Sequence, residues 1–298
     1  MGEPVEVAVE GRRVRLTNLD KVLYPAAGFT KAEVVDYYVR VADAMLPHLR
    51  DRCVTFRRFP NGVDGTSFFE KRCPSHRPGW VDTAAGPGDR GGPIQYCLIA
   101  ERAGLAWAAN LAALELHTPM ARSVDLESPQ MVVFDLDPGE GTTIVECAAL
   151  ALRIREMLDA IGLVCLAKTS GSKGMQVYVP LNAPHTHEQA ADFALAVAQV
   201  LERAEPTKVT TTMAKAVRPG RVFVDWSQNS RHKTTVCVYS LRARPTPTVS
   251  TPVAWDEVAD AAVGMPLTFT ATDVLARVDR DGDLFAAAVE MVQHLPVV

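Results

Sequence analysis

The run Met131-Val-Val-Phe-Asp135-Leu-Asp137-Pro138-Gly139 decides how this chain is read. An apolar, β-branched and aromatic stretch leads straight into two aspartates, and Pro138-Gly139 marks a turn. On a strand, residues two apart share a face, so Asp135 and Asp137 project side by side. A second run, Arg221-Val-Phe-Val-Asp225-Trp226, ends the same way. A neighbouring strand would bring Asp225 to the same place. Like charges so close repel, and a cation should compensate them. Oxygen ligands suit magnesium or manganese, and two such ions held by carboxylates are the working parts of many polymerases and nucleases. An isolated Asp-x-Asp is more often a turn former or a helix N-cap; the second aspartate-ended strand is what favours a metal site.

The chain has 298 residues, 48% hydrophobic and 22% charged, which fits a globular protein with a sizeable core. No apolar run approaches a membrane span, and Met1-Gly-Glu-Pro-Val-Glu-Val shows no basic-then-apolar secretory signal. Six cysteines are scattered, and Cys147, Cys165 and Cys237 lie in apolar stretches as buried thiols. A cytoplasmic, reducing compartment is expected. The net charge of −4 argues against a whole-surface polyanion binder. Its distribution says more. From Lys208 to Arg244 the chain is basic, with Asp225 as the only acid, whereas Asp256 to Asp283 is mostly acidic. A lone acid in a basic segment suggests a phosphate-handling surface around a metal ligand; a solvated charged face is the plainer alternative.

Periodicity and punctuation predict the elements. Val5 to Leu16 reads as a hairpin around Gly11. Thr30 and Glu33 form a capping box for a helix to about Leu49 that buries Val34, Val35, Tyr38, Val41 and Met45. A strand is expected over 53–59, a turn-rich loop over 60–65 and an exposed loop over 79–92. Ala103 to Leu116 reads as a buried helix and Thr142 to Ile161 as another, closed by Gly162. Strands follow at 163–168, 175–179, 222–226 and 234–241, with helices at 187–204, 256–263 and 272–294. Some strand pairs are joined too tightly for parallel crossovers, so the sheet should be mixed.

Other stretches carry chemistry. Thr169-Ser-Gly-Ser-Lys-Gly174, between two strands, offers glycine backbone, two hydroxyls and a cation to a phosphate. It lacks the Walker A order. Alone it is equally an ordinary tight hairpin. His117 beside Leu114-Glu-Leu is either a satisfied core histidine or a triphosphate donor. Phe68-Phe69 could stack on bases or simply fill the core. Cys73-Pro-Ser-His76 lacks a partner pair for zinc and reads as a loop.

Lys21-Val-Leu-Tyr-Pro25, Phe68-Phe-Glu-Lys71, Leu114-Glu-Leu-His117, Val133-Phe-Asp-Leu-Asp-Pro-Gly139, Thr169-Ser-Gly-Ser-Lys-Gly174 and Val222-Phe-Val-Asp-Trp-Ser-Gln-Asn229 occur in that order, closed by Lys233-Thr-Thr and Tyr239-Ser-Leu-Arg242. Together they closely resemble the polymerase domain of bacterial DNA ligase D, of the archaeo-eukaryotic primase superfamily, from about Val14 to Asp283. The resemblance implies an α+β fold: a primase-like core of mixed and antiparallel sheets flanked by helices. It implies one domain over 1–298, with a DNA-end and 5′-phosphate-binding part to about residue 115 and a catalytic part beyond. No ligase or nuclease module is evident, so a stand-alone relative of the actinobacterial kind, in the bacterial nucleoid, is expected.

The resemblance also implies roles. Asp135, Asp137 and Asp225 would bind two ions, manganese or magnesium. Ser170, Ser172, Lys173, His117, Lys233 and Arg242 would hold the incoming NTP or dNTP. Phe68 and Phe69 would stack on bases. Lys21 and Lys31 would grip the 5′-phosphate across a gap. Arg57, Arg218, Arg221, Gln228 and Asn229 would lie near DNA or nucleotide. The partners would be gapped or broken double-stranded DNA and, in trans, a DNA ligase and an end-binding protein. The family usually ends Ser-Gly-x-Lys-Gly-Leu with histidine; here Gln176 stands there, able to donate hydrogen bonds but not to carry charge. Cys237-Val238 replaces an Ala-Pro-like pair and reads as a neutral change. The expected activity is metal-dependent nucleotide addition in DNA repair. The alternatives are a non-catalytic end-bridging module, which Gln176 favours, and a two-metal nuclease, which would need no triphosphate clamp.

Overall fold

A computed structural model describes residues 3–88 and 91–296. Met1 and Gly2 of the signal reading, and Asp89 and Arg90 of the expected 79–92 loop, lie outside the described residues. A six-stranded mixed sheet carries the aspartates, in the order Val209–Thr210, Val222–Asp225, Met131–Pro138, Met175–Pro180, Leu166–Thr169, Pro252–Val253. Only the first pair is parallel. Period-two alternation gives this sheet two different faces. Val132, Phe134, Leu136, Val177, Val179 and Val224 are fully buried with the helices Ile144–Asp159 and His187–Ala204. Both helices start on capping boxes, Thr143 with Glu146 and Thr186 with Gln189, which satisfy first-turn amides. The opposite face carries Asp135, Asp137, Gln176 and Asp225.

A second, antiparallel sheet faces a separate core: Thr235–Val236, Ala113–Thr118, Thr55–Arg58, Phe68–Glu70. Its core gathers the helices Lys31–Arg40, Ala42–Leu49 and Arg102–Asn110, together with Cys237, Tyr239, Leu241, Val274 and Phe285 from much later in the chain. Buried tyrosines join the distant segments: Tyr37 donates to the Tyr239 carbonyl at 2.8 Å and Tyr38 to that of Leu114 at 2.8 Å. Among the described residues no helix is long and apolar enough to cross a membrane.

The hairpin Val5–Val9 with Arg12–Leu16 and the Thr30–Glu33 capping box form as expected. Several expectations need correction. The first long helix is broken at Val41, whose carbonyl accepts from both Ala44 and Met45. Helix 103–116 stops at Asn110; Ala112 takes a left-handed turn (φ 56°) and Ala113–Thr118 is a strand. That strand is buried on both faces, so it shows no period-two signal. The 79–92 loop contains a strand, Thr83–Pro87, paired with Pro93–Cys97. Of 234–241 only Thr235–Val236 pairs as a strand, because Tyr239 turns left-handed (φ 66°). The last helix ends at Asp281, where Gly282 (φ 69°) reverses the chain, and a short turn of helix follows at Ala287–Glu290. Cys73 and Cys97 form a disulfide, which the expectation of a reducing compartment did not include. Beside the disulfide, whose cysteines are 24 residues apart, the Cys73 amide bonds the Gln95 carbonyl at 2.7 Å. Cys53, Cys147, Cys165 and Cys237 are buried thiols.

Candidate active site

Asp135 stands directly between Asp225 and Gln176 across three adjacent strands. Asp137, two residues on, faces the same side. Gln176 donates to Asp135 Oδ1 at 3.0 Å and accepts from the Tyr178 hydroxyl at 3.0 Å, so it serves a carboxylate directly. Asp225 caps the short 3-10 turn Trp226–Asn229: its Oδ1 accepts from the Ser227 amide and hydroxyl, and its Oδ2 from Gln228 at 2.9 Å. The carboxylates repel one another. Burial, with Asp137 and Asp225 adding to it, pushes the Asp135 carboxyl up. Burial and Asp225 push Asp137 up, against the pull of Arg218 and Arg242. Beneath them lies Lys168, in register with Gln176, its ammonium on Ser250 Oγ at 2.7 Å and driven down to about 7 by burial.

Asp135 and Asp137 open into a cavity of about 420 Å³, whereas Asp225, turned onto Ser227 and Gln228, does not line it. Ser170, Ser172, Lys173 and Gly174 form one wall, His117, Arg242 and Arg244 another, and Arg218 and Gln228 a third. The serine-lysine loop is tight. Ser170 Oγ accepts from the amides of Ser172 and Gly174, both at 3.2 Å. A side chain at Gly174 would meet the Leu136 carbonyl oxygen at 2.1 Å, so only glycine lets the loop lie this close to the aspartate strand. At Gly171 (φ 66°) a side chain would strike the Val249 backbone at 2.6 Å.

The cationic wall is built on the second sheet. Arg57 and Glu115 are cross-strand partners, and Phe69 pairs with Arg57 on the other side. His117, two residues beyond Glu115, shares its face. Its Nε2 lies 2.9 Å from Glu115 Oε2, and the Phe69 ring meets it edge-on at 5.5 Å. Burial depresses the His117 imidazolium while Glu115 supports it, and the net shift is downward. Arg242 reaches both sheets, donating from Nε to Glu115 at 3.2 Å and from Nη1 to the Ser170 carbonyl at 2.7 Å.

Phe68 and Phe69 are 45% and 58% exposed, which excludes the core-filling reading. Successive strand residues face opposite ways, and only Phe69 turns toward His117; Phe68 lies against Arg58. Arg218 stacks on Phe223 at 3.7 Å at the cavity edge. Lys21 is exposed and donates to Asn61 at 3.1 Å. Lys31 is buried, its ammonium on the Thr17 carbonyl at 2.7 Å. Burial, with Lys21 and Arg58 nearby, drives it down to about 8.

Three expected residues are placed elsewhere. Asn229 is fully buried, and its amide exchanges hydrogen bonds with the backbone of Val133 at 2.8 Å, pinning the aspartate strand instead of meeting a ligand. Arg221 does not line the cavity: its carbonyl holds the Gly139 amide, and its charge acts on Glu202. Lys233 lines a neighbouring cavity of about 350 Å³ with Lys71, Arg231 and His232, which shares Thr234 with the carboxylate cavity. Sequence reasoning gave no role to Glu115, Lys168 or Arg244. A charge inside the apolar run Leu114-Glu-Leu was the available signal for the first.

All-oxygen donors on one face of adjacent strands suit a hard divalent cation. Among the described residues, no group of three or more His, Cys, Asp or Glu is already gathered about one ion position. Asp225 is turned onto Ser227 and Gln228, so side-chain rotation out of that cap is required.

Residues 30–285 match the family model of the LigD primase-polymerase domain. The multifunctional non-homologous end joining protein LigD of Mycolicibacterium smegmatis is 48% identical over 276 residues, covering 92% of this chain and 36% of that protein. The bifunctional LigD of Bacillus subtilis is 30% identical over 271 residues, 91% of this chain and 43% of that protein. The chain therefore spans well under half the length of these relatives. A solved structure of the polymerase domain from Mycobacterium tuberculosis ligase D in complex with DNA superposes with a TM-score of 0.88 at 44% identity, covering 94% of this chain and 99% of that one.

Proposed function

The chain belongs to the family of LigD primase-polymerase domains, and on that footing we propose that it adds nucleotides to a DNA primer end, filling short gaps at breaks. The observation that carries this reading is that Asp135, Asp137 and Gln176 line one cavity with Ser170, Lys173, His117 and Arg242, with Asp225 in register beside Asp135 on the next strand. Asp135, Asp137 and Asp225 would hold two divalent ions, manganese or magnesium. When bound, such ions polarise phosphoryl oxygens and make a hydroxyl a better nucleophile.

The chain's own residues do the rest. Lys173, Arg242 and the Ser170 loop bind the triphosphate and orient its α-phosphorus toward the carboxylate face. Phe69 offers a face for base stacking, which tolerates any base. The primer O3′–P bond forms as the bond to the pyrophosphate oxygen breaks, and the hydroxyl proton leaves to water. Negative charge gathers on the departing pyrophosphate, where Arg242 and Lys173 meet it. Lys21, with Lys31 behind it, receives the 5′-phosphate across the gap. Gapped or broken double-stranded DNA is the polymer substrate, and a DNA ligase and an end-binding protein acting in trans would complete end joining.

The test is extension across a short gap with each ribonucleotide and deoxyribonucleotide, magnesium and manganese compared. Extension that disappears in Asp137→Ala supports the reading. Shortened labelled DNA would favour a nuclease, and stable DNA binding with no extension would favour an end-bridging module.

A further inference from the structure

A buried carboxylate organises the cationic wall of the cavity. Glu115 is 1% exposed, on a strand between two others, and it collects four donors. Its Oε1 accepts from Arg242 Nε at 3.2 Å and from the Ala243 amide at 3.0 Å. Its Oε2 lies 2.9 Å from His117 Nε2, and Arg57 Nη1 approaches both oxygens at 3.4–3.5 Å. Burial by itself would push this carboxyl up. The hydrogen bond from His117 and the charge of Arg242 override it and hold Glu115 well below the ordinary range.

We propose that Glu115 is a positioning residue that sets the geometry of the triphosphate clamp, an inference that rests on the nucleotidyl-transfer reading above. An anion beside a polyanion site is unfavourable by charge alone. Its place there is explained by what it orders. An ionised carboxylate only accepts, so the His117 Nε2 carries a proton and the tautomer is fixed. Arg242 is stretched between Glu115 and the Ser170 carbonyl, which fixes its planar fork and leaves further N–H groups for phosphate. Arg57 is held between Glu115 and the rings of Phe59 and Phe69, at 5.0 and 5.4 Å. One carboxylate thus registers the serine-lysine loop, the stacking platform and the histidine against one another.

The two possible roles of this charge predict opposite signs. If Glu115 were only an unfavourable charge, Glu115→Gln would tighten triphosphate binding. As a positioning residue, its loss loosens the clamp. Single-nucleotide gap filling by the full chain, with gapped DNA saturating, reads the difference. Glu115→Gln is expected to raise KM for the nucleotide about tenfold or more, with kcat falling as well because Arg242 also meets the charge of the departing pyrophosphate. Inhibition by inorganic tripolyphosphate should weaken by the same factor, and affinity for gapped DNA should hold. The double variant Glu115→Gln/Arg242→Ala should lose less than the two single variants combined, because the first acts in part through the second. An unchanged or lower KM, a loss confined to kcat, or additive effects would overturn the inference. Should Glu115→Gln fail to fold, Arg242→Lys tests the same link with the carboxylate intact: it keeps the charge but cannot span Glu115 and Ser170. Its KM should rise at least about fivefold, and an unchanged KM would overturn the inference. A native chain that adds no nucleotide overturns the nucleotidyl-transfer reading itself; a working native chain with Glu115→Gln indistinguishable from it overturns only the role of Glu115.

Discussion

Gly174→Ala probes how the phosphate loop is registered on the carboxylate strand. The new methyl would lie 2.1 Å from the Leu136 carbonyl oxygen and 3.1 Å from Pro138 Cδ, where ordinary contact begins at 3.4 Å. Leu136 stands between Asp135 and Asp137, and its carbonyl is backbone, so no side chain can swing aside. The loop and the strand must part by about 1 Å. Forcing a group into a filled space costs roughly 1–3 kcal/mol, which for a chain of this size lowers Tm by about 2–10 °C. Activity should suffer more than stability. A displacement of about 1 Å between a substrate clamp and the reacting centre costs on the order of 100-fold in rate. Steady-state gap filling gives kcat, and a thermal melt gives stability. Gly79→Ala is the control, because its added methyl meets nothing within 4 Å. It should leave both unchanged. A Gly174→Ala chain that melts lower yet keeps native kcat would refute the coupling between loop and carboxylates.

Further outcomes follow from the same geometry. Asp135→Asn should abolish nucleotide addition and yet stabilise the metal-free chain. The native Asp135 carboxyl is raised above its unfolded value, so the unfolded chain binds fewer protons in that window and native stability falls as pH rises through it. At pH 8 the variant should be more stable by roughly 1–3 kcal/mol. Manganese at about 100 times its Kd should add about 2.7 kcal/mol to the native chain alone; denaturant melts with and without the metal check both claims. Asp137→Ala should remove addition while gapped-DNA affinity, measured by fluorescence anisotropy, stays within about twofold, since the carboxylate faces the nucleotide cavity. Lys21→Ala should weaken binding to a 5′-phosphorylated gap by about tenfold and leave the unphosphorylated gap unaffected, as expected for a lost charge-assisted contact. The native preference for the 5′-phosphate should decline as pH rises through about 8, where Lys31 loses its proton.

Much of the carboxylate site was legible because it is written in period two. Asp135 and Asp137 share a face by strand geometry alone, and the second aspartate-ended strand pairs beside them as read. The ordered set of short motifs supplied the α+β primase-like fold. What the sequence hid was long-range. Glu115 meets Arg242 across 127 residues, and nothing local marks that pairing. Ala113–Leu116 is buried on both faces, so an apolar run served a strand as well as it would have served a helix. Asn229 sits beside polar neighbours in a basic segment, yet its side chain is consumed by the Val133 backbone. Lys233 follows the motif order but lines the adjoining cavity instead of the one that holds Asp135 and Asp137. The Cys73–Cys97 pairing depended on a hairpin that glycines and prolines disguised as a loop.

The most direct measurement is extension of a labelled primer across a one-nucleotide, 5′-phosphorylated gap, with manganese and a single complementary nucleoside triphosphate. A product one nucleotide longer is predicted from the native chain, and none from Asp137→Ala or after chelation of the metal. Primer left unextended by the native chain, or extension that survives loss of the Asp137 carboxylate, would contradict the account.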